Sequence, residues 1–175
     1  MLYVVAVHDN PTGGPETLHQ FAREVRKQGI ETAMVYCDVD TTDVPEKFKI
    51  YGVPVVRKRD IADTEENIII APETKTAFLY QYKRIPKCIW WLSKKIYYVF
   101  NSMEGLIRCA ERIKIKKVFY PVCIPLMYIR HRLTPGYFKF GKDKNEIFHL
   151  YNCEYVREYL EEKGVKAENT MYMCG

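Results

Sequence analysis

The chain of 175 residues has no apolar stretch long enough to cross a bilayer. Its longest apolar-rich run, Val118–Ile129, is broken by Pro121 and Pro125, whereas a spanning helix takes about 20 residues. The opening run Met1-Leu2-Tyr3-Val4-Val5-Ala6-Val7 carries no basic leader and no cleavage site, so it reads as a buried strand rather than a secretory signal. The six cysteines (Cys37, Cys88, Cys109, Cys123, Cys153, Cys174) form no C-x-x-C pair and no regular spacing. Without export they are expected to be reduced thiols in a cytoplasmic protein, most of them buried as small hydrophobes. No Cys/His cluster has metal-ligand spacing, so neither a metal nor a cofactor is expected. Repeats, low-complexity tracts, a G-x-G-x-x-G fingerprint and a P-loop are all missing, and the order of Ser, His and acidic residues reveals no triad.

Acidic residues are scarce in one region only. Between Lys83 and Lys144 stand 15 Lys or Arg against Glu104, Glu111 and Asp143, while the rest of the chain is net acidic. A basic block on an acidic body suits an anionic partner, although long lysines on a solvated surface give the same count. What remains is ordinary for one compact domain over residues 1–175. It is 47% hydrophobic and 14% aromatic, so disorder is not expected. An enzyme working in a cleft between two nucleotide-binding-type domains needs about twice this length.

Strand and helix patterns alternate along most of the chain. Leu2–His8 reads as a strand, Asp9–Glu16 as a loop, and Thr17–Gln28 as a helix with Leu18, Phe21, Ala22 and Val25 on one face. Gly29 stands where a left-handed cap belongs, and Glu31–Cys37 follows as a second strand. This βαβ unit implies a parallel sheet. Further strands are expected near Val53–Arg57, Ile68–Ala71, Lys87–Leu92, Glu146–Leu150 and Asn169–Met173, with helices at Pro72–Tyr82 and at Glu154–Lys163, the latter closed by Gly164. The expected architecture is an open parallel sheet with helices on both faces. Residues 94–145 break the rhythm. They read as a basic, partly helical insertion, with an amphipathic helix at Val99–Ile113 and then the proline-broken apolar run.

The strongest local signal is Asp9-Asn10-Pro11-Thr12-Gly13-Gly14-Pro15-Glu16, at the carboxyl end of the first strand. A ligand there meets free backbone N–H groups and the positive end of a helix, and glycines leave room for close approach. His8, Glu73 and Ser93 stand at apparent strand ends on the same rim and suit hydrogen bonds to hydroxyls or phosphate. A turn glycine and a satisfied structural histidine are the plain alternatives. His19 reads as structural and His131 as solvated.

Gly13-Gly14-Pro15-Glu16, followed by Leu18-His19-Gln20-Phe21-Ala22-Arg23-Glu24-Val25-Arg26-Lys27-Gln28-Gly29, resembles the opening of family 4 glycosyltransferases. Ile68–Glu73, Ile89–Ser93 and Phe148–Val165 resemble later segments of the polysaccharide-building members. The resemblance touches most of residues 1–93 and 146–175 and omits the insertion. It implies the N-terminal, Rossmann-like, acceptor-side half of a retaining GT-B enzyme that builds a bacterial surface polysaccharide such as a capsule or exopolysaccharide.

By that analogy Gly13, Gly14 and Glu16 line the cleft, with His8, Glu73 and Ser93 on the acceptor rim. The acceptor is a sugar or lipid-linked saccharide, and the donor is a nucleotide-sugar held mainly by a second, C-terminal half. The isolated chain is then expected to bind rather than turn over. Two departures stand out. Lys94-Lys95 follows Ser93 where a more acidic or amide-bearing turn belongs, and no donor domain follows Gly175. Glu154 and Glu162 imitate the superfamily's paired-glutamate signature, but that signature belongs to the donor half, and here both read as a solvated helix face.

The insertion interleaves Tyr and Phe with Lys114, Lys116, Lys117, Arg130 and Arg132, as an anchor on an anionic membrane surface would. A packing arm, a protein contact or a homo-oligomer contact are the other readings. Nucleic acid is not expected, because no recognition motif accompanies the charge. The alternative to the transferase reading is a non-catalytic binding module that uses this arm on membrane, anion or protein.

Overall fold

The computed structural model describes residues 1–9, 13–95, 97, 103–133 and 138–173, and the side chains at 103, 104, 109, 131 and 132 lie outside that description. Six strands form one sheet: β1 (Leu2–Ala6), β2 (Thr32–Tyr36), β3 (Ile68–Pro72), β4 (Lys87–Trp91), β5 (Phe148–Tyr151) and β6 (Thr170–Tyr172). Their spatial order is β2-β1-β3-β4-β5-β6, and every pairing is parallel. Among the described residues the helices with defined bounds are α1 (Gly13–Lys27), α2 (Met103–Arg112), α3 (Tyr120–Leu133) and α4 (Glu154–Glu162).

The expected strand at Val53–Arg57 survives as one parallel bridge, Met34 to Val55, outside β2. The Met34 N–H donates to the Pro54 carbonyl and the Val56 N–H to the Met34 carbonyl, both at 2.9 Å. Pro54 has no N–H to extend the ladder, and the Thr32 carbonyl accepts from the Arg26 guanidinium at 3.0 Å. With that segment counted at the edge, the sheet has the doubly wound order of a Rossmann-like fold, with its switch between β1 and β3.

Successive strand residues point to opposite faces, and both faces are covered, which is why β1 and β2 are buried at every position. Leu2, Val4, Ala6, Met34, Ile70 and Trp90 pack beneath Leu18 and Ala22 of α1. Tyr3, Val5, Val35, Ile69, Ile89 and Trp91 pack against Val156, Tyr159 and Leu160 of α4 and against Phe78 and Leu79.

Several expected bounds shift for local reasons. The helix α1 begins at Gly13, so Gly13 to Glu16 form its first turn rather than a loop. In place of a helix over Pro72–Tyr82 there is a 3-10 helix, Thr76–Gln81. Pro72 still belongs to β3, and the Glu73 N–H, just past it, donates to the Trp90 carbonyl at 3.1 Å, which holds the following turn against β4. The helix expected over Val99–Ile113 is seen as α2 from Met103; 99–102 lie outside the described residues. The proline-broken run becomes α3. Pro121 sits in its first turn, where a missing N–H costs nothing, and Pro125 lies inside it.

The insertion is pinned to the sheet at both ends. Tyr97 near its start and Phe138 and Phe140 near its end pack around Trp91, with ring centroids 4.8, 6.2 and 5.5 Å away. The Tyr97 hydroxyl donates to the Phe138 carbonyl at 3.0 Å, and the Phe138 N–H donates to Thr76 Oγ1 at 3.0 Å. Beyond these anchors α2 and α3 make a hairpin with its own small core of Leu106, Ala110 and Ile124. Cys37, Cys88 and Cys123 are half-buried free thiols; Cys153 is exposed, against the expectation that most would be buried. Cys174 and the Cys109 side chain lie outside the described residues. Among the described residues no helix is long and apolar enough to cross a membrane.

Candidate ligand-binding edge of the sheet

Open parallel sheets bind ligands outside the carboxyl ends of their strands, at the switch point. Here that point lies where β1 and β3 emerge side by side, with β4 next. The residue following β3 is Glu73, and only 2% of it is exposed. Its Oε2 accepts the Leu92 N–H at 3.0 Å. Burial pushes this carboxyl up to about 7, and backbone N–H groups of Leu92, of Glu73 itself and of Ser93 pull it partly back. Glu73 therefore divides between acid and carboxylate near neutral pH, which suits a group that exchanges hydrogen bonds with a hydroxyl.

Gly14 belongs to the same cluster. A Cβ there would stand 3.6 Å from Leu92 Cδ1, an ordinary contact, and a Cβ at Gly13 would meet nothing within 4 Å. Neither glycine has a left-handed backbone; among the described glycines only Gly29, Gly52 and Gly164 do. Two glycines in a helix's first turn weaken it relative to alanine. Nothing among the described residues requires glycine at either position.

His8 and Glu16 sit apart from this cluster. The His8 backbone N–H donates to Asp38 Oδ1 at 2.9 Å, and its ring meets Tyr36 edge-on at 4.9 Å. His8 Nε2 is buried and has no hydrogen-bond partner among the described residues. Glu16 is exposed and accepts from the Tyr51 hydroxyl at 2.9 Å, which turns it toward the Tyr51 side of α1. Ser93 is half-buried just past β4, beside Glu73. Thus Gly14, Glu73 and Ser93 come together around Leu92, and His8 stands on the β2 side of the switch.

A cavity of about 360 Å³ opens past the ends of β2 and β3, lined by Cys37, Asp38, Thr74, Lys75, Phe78 and Gln81 among others. Burial pushes the Cys37 thiol up, and the Lys75 ammonium partly offsets this. Asp38 and Lys75 were not among the residues expected from sequence. The signal that finds them is position: each follows closely on the carboxyl end of a strand, where the rule for open sheets applies.

The other sequence candidates resolve simply. His19 is structural, since its Nδ1–H donates to the Pro15 carbonyl at 2.7 Å and its Nε2 accepts from the Tyr36 hydroxyl at 3.0 Å. Glu154 and Glu162 are exposed on α4, and Glu154 pairs with Arg157. Lys94 lies over the rings of Tyr155 and Tyr159 at 3.9 and 4.5 Å, so the basic turn after Ser93 is packed onto α4. Lys114, Lys116, Lys117 and Arg130 are exposed on the helical hairpin, far along the chain from Glu73; the Arg132 side chain lies outside the described residues. No group of three His, Cys, Asp or Glu that could hold a metal occurs among the described residues.

Fold and edge together define an α/β protein of the doubly wound, Rossmann-like class. Comparison of the chain with protein-family models, with curated proteins and with solved structures gives no match.

Proposed function

We propose that the chain is the acceptor-side half of a retaining GT-B glycosyltransferase of surface-polysaccharide synthesis. In this reading the switch-point edge receives a hydroxyl of a sugar or lipid-linked saccharide. The observation that supports it most is the Glu73 carboxyl, buried at that edge, tied to the Leu92 N–H, and adjacent to a helix start kept free of side chains at Gly13 and Gly14. In a glycosyl transfer the acceptor oxygen bonds to the anomeric carbon, that carbon's bond to the leaving phosphate oxygen breaks with its electron pair on that oxygen, and the acceptor's proton passes to the leaving phosphate. Glu73 would hold the acceptor hydroxyl by taking its hydrogen bond. His8 and Ser93 would fix neighbouring hydroxyls. The nucleotide-sugar is a substrate brought mainly by a second Rossmann-like half, and a lipid-linked acceptor would place the protein peripherally at the cytoplasmic face of a membrane.

The test is a glycan array probed with the full chain, its Glu73→Ala variant and its Gly14→Val variant. Retention of defined saccharides by the wild type, lost in both variants while circular dichroism is unchanged, is the expected result. No retained glycan, or retention indifferent to both substitutions, would overturn the reading. Addition of a donor half should confer turnover of a nucleotide-sugar. The alternative, a non-catalytic module that docks through its basic arm, is favoured by one observation: the exposed apolar face of α3.

A further inference from the structure

The helix α3 is apolar on two opposite sides. Its inner side is satisfied, since Ile124 is buried and Tyr120, Met127 and Tyr128 pack with it against Leu106 and Ala110 of α2. Its outer side is not. Val118 and Phe119 in the preceding turn, and Val122, Leu126, Ile129 and Leu133 in the helix, are each more than half exposed. The helical four lie at i, i+4, i+7 and i+11, which at about 100° per residue confines them to an arc of about 60°. Isolated exposed apolar side chains are common on any protein, but a continuous stripe marks an interaction surface.

Charge selects the occupant. Residues 112–133 hold six Lys or Arg and no Asp or Glu. Lys114, Lys116 and Lys117 cluster before α3, and Arg130 is exposed near its far end. A second copy docked on this face by a two-fold axis would bring two such sets of cations together, which like-charge repulsion opposes. A lipid surface with anionic headgroups meets both halves of the pattern, because aliphatic and aromatic groups sink to the acyl boundary while Lys and Arg stay at the phosphates.

The turn between the helices adds a second indication. The three helices α1, α2 and α4 end in the same way, with the second residue past the helix in left-handed backbone and the next N–H reaching back five residues: Ile30 to Val25, Ile115 to Ala110, Val165 to Leu160. In α1 and α4 the left-handed residue is Gly29 or Gly164; in α2 it is Lys114, at φ 59. A lysine is less at ease there than glycine, yet it places a cation at the tip of the hairpin.

We infer that α3 and the turn before it lie in the plane of an anionic bilayer surface, with Val118, Phe119, Val122, Leu126, Ile129 and Leu133 immersed and the flanking lysines and Arg130 at the headgroups. At 14 residues α3 is about 21 Å long, shorter than the bilayer core of about 30 Å, so it lies along the surface. The inference does not rest on the transferase reading, since no residue of the hairpin belongs to the sheet edge.

The experiment is co-sedimentation of the full chain with vesicles of phosphatidylcholine mixed with phosphatidylglycerol, and with vesicles of phosphatidylcholine alone. Binding to the mixed vesicles at low salt is expected, with release as salt rises. Leu126→Asp combined with Ile129→Asp should weaken it about tenfold or more, and Lys116→Glu combined with Lys117→Glu should abolish the preference for the anionic vesicles. All four side chains are exposed, so circular dichroism should not change; Leu126→Ser with Ile129→Ser serves if the aspartates disturb α3. Indifference to anionic vesicles at low salt, or binding unaltered in the apolar-stripe variants, would overturn the inference. So would a dimer by size exclusion that the stripe variants dissolve, with no vesicle binding. Glycan retention by the same preparations reports on the sheet edge separately.

Discussion

The Glu73 carboxylate takes its hydrogen bond from the Leu92 backbone N–H at 3.0 Å, and the Leu92 side chain in turn lies against Gly14. One residue past β4 thus connects the end of β3 to the first turn of α1. This link gives the candidate edge a defined shape.

Replacement of Glu73 by Gln keeps an acceptor for the Leu92 N–H and removes a buried charge. The wild-type carboxyl titrates at about 7 when folded and near 4.5 in its ordinary state, so the folded form favours the proton. Its contribution is complete below about pH 4.5 and is lost as pH rises through about 7. Glu73→Gln should therefore melt like the wild type under acid conditions and become the more stable protein in mild alkali, by up to roughly 3 kcal/mol. Melting curves across that range check it; a variant less stable at every pH would show that Glu73 serves as an ion rather than as an acid.

Gly13→Ala and Gly14→Ala separate folding from binding. Neither added methyl group clashes. Each should strengthen the start of α1 by roughly 0.5–1 kcal/mol, visible as a small rise in melting temperature. If the open space serves a ligand, saccharide retention should fall in both variants. Gains in stability with retention intact would mark the glycines as incidental.

Lys114→Gly relieves the left-handed backbone at the hairpin turn. The variant should be more stable by up to about 1 kcal/mol and should hold anionic vesicles about fivefold less tightly, the loss expected for one cation at a lipid surface. Thermal melts and co-sedimentation read the two effects independently.

Two buried histidines contribute to the acid limb of stability. The Trp91 indole N–H donates to His149 Nδ1 at 2.9 Å, so the His149 Nε2–H donates to the Lys144 carbonyl, also at 2.9 Å. Burial lowers the pKa of both His149 and His19 below the ordinary 6.5. Their neutral forms stabilise the fold above 6.5, and that contribution is lost as pH falls through the folded values. Melting temperature should drop progressively below that point. His149→Leu should cost about 1–3 kcal/mol near neutral pH, because the Trp91 N–H is left unpaired, and should flatten the acid limb so that this deficit narrows as pH falls.

Much of this fold is legible because parallel strands covered on both faces are apolar at every position. Val4, Val5 and Ala6, or Ile69, Ile70 and Ala71, announce themselves without alternation. Gly29 and Gly164 mark helix ends by the one residue type that prefers left-handed backbone. What escapes the sequence depends on neighbours. Pro54 leaves a single bridge where a strand is expected, and whether that matters depends on the facing Met34 and Thr32. An acid after Pro72 looks like the start of a helix, yet Glu73 is held in a turn against β4 because Trp90 offers its carbonyl. Lys114 conceals a helix end, since no local rule puts lysine there. At the site, Gly14, Glu73 and Ser93 were readable as strand-end or helix-start residues, whereas Asp38 and Lys75 needed the strand order to become visible.

The adjacent pair Trp90 and Trp91 are the only tryptophans in the chain, and β4 turns them to opposite faces. Trp90 meets Phe21 of α1 at 4.9 Å, while Trp91 lies among Tyr97, Phe140 and His149. One dipeptide therefore carries two separate fluorophores, one for each layer of the sandwich. Trp90→Phe leaves an emission that follows α4 and the roots of the insertion; Trp91→Phe leaves one that follows α1. Differences between the two signals during unfolding would show directly which layer loosens first.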